Sequence, residues 1–158
     1  MEHGLQRLVH RSAHAEPFAE RLGANRVVYV EVRDGEFVVE RDYVDGVRSL
    51  NGRYLRTRFG VSMLASYEAG RTVVESDVNL LDSRTIQERE AFLEIETRAF
   101  VGVPLIKAGE LVAVLTVHSA QPREWTAIEV AIVEDAAERT WAAVERVRAE
   151  SALRESEE

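Results

Sequence analysis

The four histidines are the residues of this chain whose type best suits metal or cofactor binding. His10 and His14 stand four positions apart and would share one face of a helix, a spacing that zinc sites use. No carboxylate or third ligand accompanies them or His3 at a useful spacing. We therefore interpret the three as exposed helix histidines and predict no metal site. His118 differs because it ends an apolar stretch, where it either bonds a backbone carbonyl or water, or contacts a bound molecule.

No set of residues predicts catalysis. The chain has no cysteine, which excludes disulfides, thiolate metal sites, a cysteine nucleophile and a thioether-linked cofactor. The sequence also has no glycine-rich phosphate loop, no HExxH motif, no Ser-His-acid arrangement and no phosphoacceptor or ATP-binding motif of a two-component kinase. An acidic cluster has the spacing of a solvated helix face rather than of an acid/base pair: Glu88, Glu90, Glu94 and Glu96. We expect no enzymatic activity from this chain.

Composition indicates one globular domain. The chain has 158 residues, of which 46% are hydrophobic and 30% charged, enough to build a core without favouring disorder. The formal net charge of −8 would repel a nucleic-acid backbone, so we expect no nucleic-acid partner. Neither a signal peptide nor a run of about 20 apolar residues is present, so we expect no membrane partner and a cytoplasmic location.

A β-hairpin is the element that positions His118. Apolar and β-branched residues run from Arg98 to Ile106 and from Glu110 to His118, and Lys107-Ala108-Gly109 forms the turn. Pro104 removes a hydrogen-bond donor and predicts a bulge or an irregular edge. Alternation puts Leu111, Ala113, Leu115 and Val117 on one face and Val112, Val114, Thr116 and His118 on the other. We expect helices on the first face and a cavity on the second.

A second hairpin precedes it, with strands from Arg26 to Arg33 and from Glu36 to Tyr43 around the turn Asp34-Gly35. One face of its first strand is uniformly valine and the other is mixed, and we interpret the mixed face, with Tyr29, as the wall of a pocket. The segment from Val44 to Gly60 has no sustained period and is predicted to be an irregular connection. Three of its side chains are suited to closing over a ligand: Arg53, Tyr54 and Phe59.

Shorter elements complete the fold. A helix near the N-terminus should end at Gly23, with a kink or a new start at Pro17. Ser62 to Ala69 is predicted to be a short helix and Thr72 to Ser76 a brief strand. A further helix should run from an N-cap at Asp82 or Ser83 to about Glu94.

The last helix is predicted to be long. Thr126 and Glu129 form a capping box, and the helical pattern runs to about Ser156, roughly 46 Å. The first half should cover the sheet, and the second half should project and pair with its copy in a homodimer; a solvated tail is the alternative. Val130 begins the apolar stripe, whose other residues we assign to dimerisation: Val133, Ala137, Trp141, Val144 and Val147.

The hairpin and its continuation resemble a known family. The run Val103-Pro104-Leu105 through Gly109 to Val117, then Pro122-Arg123-Glu124-Trp125-Thr126 and an alanine-rich helix, is similar to the C-terminal half of a GAF domain. The resemblance implies an α+β fold with an antiparallel sheet of about six strands. It also implies N- and C-terminal helices on one face and a cavity with short helices and loops on the other. The boundaries would be 1–25 for an N-terminal helical segment, 26–125 for the sensory core and 126–158 for a signalling helix.

The resemblance extends to signalling proteins. The last residues resemble the helical linker that leads to a PAS domain or a histidine kinase, and His118 with Pro122-Arg123 is similar to the phytochrome segment where a histidine contacts the bilin. Without cysteine a covalent bilin is excluded, and the Asp-Ile-Pro motif of phytochromes is missing. Non-covalent bilin, haem or a cyclic nucleotide stay open, as does a dimerisation module with a degenerate pocket. We predict a regulatory sensor that binds an unidentified small molecule through Tyr29, Arg53, Tyr54, Phe59, Thr116 and His118.

Overall fold

The computed structural model describes residues 15–80 and 85–157. Within these ranges the chain forms an antiparallel sheet of seven strands, packed with helices on both faces. The strands are β1 (Arg26–Arg33), β2 (Glu36–Val39), β3 (Asp42–Val44), β4 (Gly52–Leu55), β5 (Val73–Glu75), β6 (Ala99–Lys107) and β7 (Glu110–Ser119). The helices are α1 (Ala15–Leu22), α2 (Val61–Glu68), α3 (Ile86–Glu94) and α4 (Ala127–Glu157), with a 3-10 helix at Val78–Leu80. The predicted α+β class and antiparallel sheet are confirmed.

The strand order is β4-β2-β1-β7-β6-β5, and β3 pairs with the beginning of β1. The strand predicted from Glu36 to Tyr43 is therefore two strands, which pair with opposite ends of β1. The segment predicted to be irregular contains β4, which pairs with β2 along its length. A strand of four residues is too short to show a clear alternation of apolar and polar side chains. Strand β4 is therefore defined by its pairing with β2 and not by its own sequence pattern.

Both predicted hairpin turns are present. Asp34 and Gly35 have φ values of 52° and 76°, and Ala108 and Gly109 have 53° and 79°. Two consecutive residues with positive φ form the tight turn whose twist matches that of paired strands. Each turn therefore fixes the register of the strands on either side of it.

A β-bulge interrupts the hairpin of β6 and β7. Leu105 pairs with Ala113, but Ile106 pairs with Leu111, so Val112 is an extra residue. The irregularity predicted at Pro104 lies one residue further along β6, between Leu105 and Ile106. Beyond the bulge the predicted faces of β7 are confirmed; at the bulge they are wrong, because Val112 packs with the helix-side core and Leu111 with the opposite face.

Helices α1 and α4 cover one face of the sheet. Before α4, Thr126 N–H donates to Glu129 Oε1 at 2.9 Å, and Glu129 N–H donates to Thr126 Oγ1 at 3.1 Å, as a capping box requires. Their buried side chains form one core with alternate residues of β1, β6 and β7. Among residues 15–80 and 85–157, none of the helices combines the length and the hydrophobicity that a membrane span requires.

The residues assigned to dimerisation lie mainly inside this core. Val133, Ala137 and Val144 have no exposed surface, because α4 lies along the sheet for about five turns. Trp141 and Val147 are half-buried. The assignment of this stripe to a dimer interface is therefore wrong for its three fully buried members, which pack within one chain.

Two short helices cover the other face. Thr85, not Asp82 or Ser83, is the N-cap of α3, and its hydroxyl accepts a hydrogen bond from Glu88 N–H at 3.1 Å. Asp82 and Ser83 lie outside the described residues, as do residues 1–14 with His3, His10 and His14. Helix α2 begins one residue earlier than predicted, after Gly60.

Candidate ligand-binding site

A cavity of about 70 Å³ lies on the face of the sheet opposite α1 and α4. Strands β1, β6 and β7 form its floor, and β2, the β3–β4 region, α2 and α3 supply the walls and roof. The lining residues are mostly aliphatic or aromatic: Val28, Val30, Phe37, Val39, Leu50, Tyr54, Phe59, Met63, Tyr67, Phe92, Ile95, Phe100, Val114, Thr116 and His118.

A glycine lets the roof approach the floor. In the sheet, Gly102 lies beside Thr116, and a Cβ atom on Gly102 would lie 1.9 Å from the Tyr67 hydroxyl oxygen. Any larger residue at this position would push Tyr67 and its helix α2 away from the sheet. Gly102 therefore sets the height of the cavity at this point.

Aromatic rings form a continuous row along the cavity. Ring centroids are 6.4 Å apart for Tyr54 and Phe59, 5.0 Å for Phe59 and Phe92, and 5.1 Å for Phe92 and Phe100. The row ends at His118, whose ring lies edge-on to Phe100 at 6.1 Å. These separations fall in the range where aromatic pairs stabilise one another. The row connects β4 and the roof to the end of β7.

A fully buried arginine lies behind His118. Arg26 has no exposed surface, and Nε and Nη2 both donate to Arg48 O, at 3.1 Å and 2.7 Å. Nη2 also donates to Ile95 O at 2.7 Å, and Nη1 donates to Thr97 Oγ1 at 3.0 Å and His118 Nδ1 at 3.1 Å. A guanidinium has five N–H bonds, and these five contacts use all of them. Arg26 thus connects the β3–β4 loop and the segment after α3 to the end of β7.

The contact with Arg26 fixes the tautomer of His118. Arginine can only donate, so Nδ1 must accept, and the proton of the neutral ring is on Nε2. Burial, and secondly the charge of Arg26, lower the pKa of His118 well below its ordinary value. His118 is therefore a neutral ring with its N–H on the nitrogen away from Arg26.

Thr116 lies two residues before His118 on the same face of β7. Its side chain is 8% exposed, and its Oγ1 is buried without a hydrogen-bond partner among the residues that the structure describes. A buried hydroxyl without a partner is uncommon and destabilising. Together Thr116 and His118 give one end of the cavity a polar character.

Four of the six residues predicted to bind a ligand line the cavity together: Tyr54, Phe59, Thr116 and His118. The other two do not. Tyr29 packs in the core beneath α4, and Arg53 is half-exposed and forms ion pairs with Glu36 at 3.0 Å and Asp34 at 3.6 Å. The prediction for Tyr29 is wrong because the cavity lies over the uniformly valine face of β1. Arg53 misses the cavity because it is adjacent to Tyr54 in a strand, where neighbouring side chains point to opposite faces.

The mixed face of β1 anchors the last helix instead. The Glu31 carboxylate is 10% exposed, and it pairs with Arg148 of α4 and with Arg33 of β1, the latter at 2.6 Å. The neighbouring Tyr29 hydroxyl has no hydrogen-bond partner in the described ranges, and burial and Glu31 raise its pKa. The polar residues on this face of β1 therefore hold α4 against the sheet and do not line a pocket.

Two residues that shape the site, Arg26 and Gly102, were not predicted from the sequence. A glycine inside a β-branched strand signals a close approach, and that signal was available for Gly102. Arg26, at the start of a strand, looks like an exposed strand end. In the ranges 15–80 and 85–157, no group of three or more His, Asp or Glu side chains could hold a metal ion.

One antiparallel sheet, with helices from both ends of the described chain on one face and a cavity on the other, defines a class of α+β sensory domains. The chain belongs to the GAF domain family, whose model matches residues 14–144. No curated protein sequence matches it.

Solved structures share the fold. The chain is similar to the blue-light absorbing form of the PixJ GAF domain of Thermosynechococcus elongatus, with 19% identity, a TM-score of 0.75, and 97% of this chain and 92% of that chain covered. A far-red absorbing domain with bound biliverdin IXa has 15% identity and a TM-score of 0.73, with 91% and 98% covered. A domain described as part of a two-component sensor histidine kinase of Sinorhizobium meliloti has 14% identity and a TM-score of 0.66, with 90% and 93% covered.

Proposed function

We propose that this GAF domain is the sensory part of a larger cytoplasmic signalling protein and that a small molecule bound in the cavity changes the packing of α4. The proposal rests on strand β7, whose two faces contact different parts of the domain. Thr116 and His118 line the cavity, while Leu115 and Val117 on the other face pack in the core that holds α4. A displacement of this strand by a ligand acts on both faces, because packed interiors deform little.

The segment between β7 and α4 supports such a relay. Trp125 Nε1 donates to Glu75 O at 3.0 Å, and Arg123 N–H donates to Ser76 O at 2.8 Å. Arg123 also forms an ion pair with Glu129 in the first turn of α4. The beginning of the helix is thus held by the sheet, so movement of the sheet is passed to the helix rather than lost in a loose connection.

A linear tetrapyrrole, as in the biliverdin-binding neighbour, does not fit this cavity. Its volume of about 70 Å³ is far below the few hundred Å³ of typical ligand sites. The described lining has no lysine or arginine to pair with propionates, and the chain has no cysteine for a covalent bond. The same lack of a cationic partner disfavours haem and cyclic nucleotides. We therefore propose a smaller ligand.

The output belongs to residues outside this chain. The side chains of α4 beyond Val147 are largely exposed, up to Glu157. We propose that this portion continues into a PAS or kinase domain and pairs with a second copy through its outward faces. The chain itself would then have no catalytic activity. The comparison with a sensor histidine kinase domain supports this setting.

Native mass spectrometry of the purified domain tests the proposal. We expect a stoichiometric small molecule, and hydrogen exchange in the last turns of α4 that changes when the compound is removed. A domain that retains no compound and binds no member of a metabolite library would instead support a ligand-free dimerisation module. The aromatic row, which already fills much of this face, favours that alternative. Light scattering that shows a monomer at high concentration would refute the dimer.

A further inference from the structure

We infer that the ligand is an uncharged, largely apolar molecule of few atoms, with one hydrogen-bonding oxygen directed at Thr116 and His118. This inference rests on the proposed function and specifies its ligand class. It follows from three properties of the cavity: the absence of charge in its described lining, the unused hydrogen-bonding groups of β7, and its size.

Charge is the first property. The described lining contains no Asp, Glu, Lys or Arg. Arg26, which contacts the lining residue His118, already uses all five N–H bonds on protein acceptors and has no exposed surface. A carboxylate or phosphate entering the cavity would lose its hydration without gaining a charged partner. A cationic ligand would meet the same penalty, so the cavity selects neutral molecules.

The polar groups of β7 are the second property. The Tyr54 hydroxyl already donates to Leu50 O at 2.7 Å. Thr116 Oγ1 has no partner within the described part of the chain, and the contact with Arg26 leaves the N–H of His118 on Nε2. Thr116 and His118 are alternate residues of one strand, so their side chains share a face. A carbonyl or hydroxyl oxygen at this end would accept from His118 Nε2–H. It would also accept from the Thr116 hydroxyl after a small rearrangement, because Oγ1 is buried in the wall of the cavity.

Size is the third property. An apolar cavity of roughly 150 Å³ takes up benzene. A cavity of about 70 Å³ therefore limits the ligand to a small ring or a short branched chain, with slight opening of the roof. The aromatic row supplies apolar contacts for the rest of such a molecule.

Three molecules with a five-membered ring, the first two of the same shape, test the inference by NMR titration of the folded domain. Cyclopentanone has an acceptor oxygen, methylenecyclopentane has the same outline without one, and cyclopentanecarboxylate is charged. We expect cyclopentanone to bind about tenfold more tightly than methylenecyclopentane, the effect of one hydrogen bond. We expect no binding of the carboxylate, and a shift of the His118 Nε2–H resonance with the ketone alone.

Substitution of Thr116 gives a second measurement. Thr116→Val keeps the shape but removes the hydroxyl, and should weaken cyclopentanone binding several-fold without changing methylenecyclopentane binding. Thr116→Ser keeps the hydroxyl and serves as the matched control. Because the hydroxyl lacks a described partner, Thr116→Val should fold at least as stably as the unaltered domain, so lost binding would not reflect unfolding.

The outcomes separate the ligand class from the proposed function. Equal affinity for the ketone and the alkene, or preference for the carboxylate, overturns the ligand class, while ligand binding in the cavity still supports a sensor. Failure of all three molecules to bind overturns the ligand class. If native mass spectrometry also finds no retained compound, the proposed function fails with it.

Discussion

The two faces of the sheet differ in how their side chains are packed and paired. On the face under α4, the Glu31 carboxylate is paired with two arginines, one of them Arg148 of the helix, and Lys107 pairs with Glu138 at 2.8 Å. On the other face, Thr116 Oγ1 has no partner among the described residues and a cavity is present. The Tyr29 hydroxyl under α4 also lacks a partner in the described ranges, so the cavity and not an unpaired hydroxyl distinguishes the two faces. Dense packing fixes one arrangement of a helix, whereas unused space accommodates a ligand. Under the proposed function, the cavity face would respond to a signal and the helix-covered face would transmit it.

Replacement of Arg26 should affect the cavity face most. Arg26→Met removes the donor that serves Arg48 O, Ile95 O, Thr97 and His118. It should lower the free energy of unfolding by about 3–5 kcal/mol, because several acceptors lose their partner at about 1–3 kcal/mol for each one that is buried. Urea unfolding measures this. Arg26→Lys is the matched control; it keeps the charge but offers three donors, so it should recover only part of the loss. A Met variant within 1 kcal/mol of the unaltered domain, roughly the worth of a single hydrogen bond, would show that the network is unimportant.

A side chain at Gly102 should open the roof of the cavity. Gly102→Ala places Cβ against the Tyr67 hydroxyl, and should cost about 1–3 kcal/mol of unfolding free energy through overpacking. In a Tyr67→Leu background the same change should cost much less, because the clash is gone. Thermal unfolding of the four proteins measures the coupling. Equal costs in both backgrounds would disprove the close contact.

The pH dependence of stability should report His118. The unfolded chain binds a proton at this histidine below about pH 6.5, whereas the folded chain, with its lowered pKa, does not. The free energy of unfolding should therefore fall as the pH falls, by about 1 kcal/mol between pH 6 and pH 5. Urea unfolding at several pH values measures this slope.

His118→Asn is the control for that slope. Its amide oxygen can accept the Arg26 bond but does not titrate, so the slope between pH 6 and pH 5 should flatten. The pKa of Glu129, held at about 2 chiefly by Arg123, affects stability only below about pH 4.5, outside this window. The other three histidines are present in both proteins and cancel. An unchanged slope would mean that His118 is protonated in the folded domain.

The smallest effect is expected on the helix-covered face. Arg148→Ala removes the link between α4 and Glu31, but Arg148 is 41% exposed, so the cost in unfolding free energy should stay below about 1 kcal/mol. Hydrogen exchange in the last turns of α4 should nevertheless accelerate. Arg146→Ala, an exposed position on the same helix, should leave exchange unchanged. Equal exchange in the two variants would show that Glu31 does not hold the helix.

Local signals predicted much of the fold. The turn Asp34-Gly35, the capping box of Thr126 and Glu129, and the alternation from Ala113 to His118 each depend on neighbouring residues, and each is present. Strand β4 was missed, because its pairing with β2 is what makes it a strand. The predicted faces of Leu111 and Val112 were wrong, because the bulge adds a residue that shifts the alternation of side chains. No clear feature of the sequence marks this extra residue.

The candidate site was predicted less completely. Its residues on β7 follow from alternation, but the partners of Arg26 lie between 22 and 92 positions away along the chain, so no local pattern contains them. Tyr29 was placed on the wrong side, because a polar residue on a strand was interpreted as facing a pocket. Glu31 on the same face instead meets Arg148, 117 positions later, and only the folded chain brings the two together.

The bonds from Trp125 and Arg123 to the end of β5 have a consequence for solubility. Strand β5 is one edge of the sheet, where unpaired backbone groups can pair with strands of other molecules and start aggregation. The carbonyl oxygens of Glu75 and Ser76 already accept bonds from within the chain. These two acceptors are unavailable to an incoming strand, so the segment before α4 should disfavour pairing with another molecule at this end of β5.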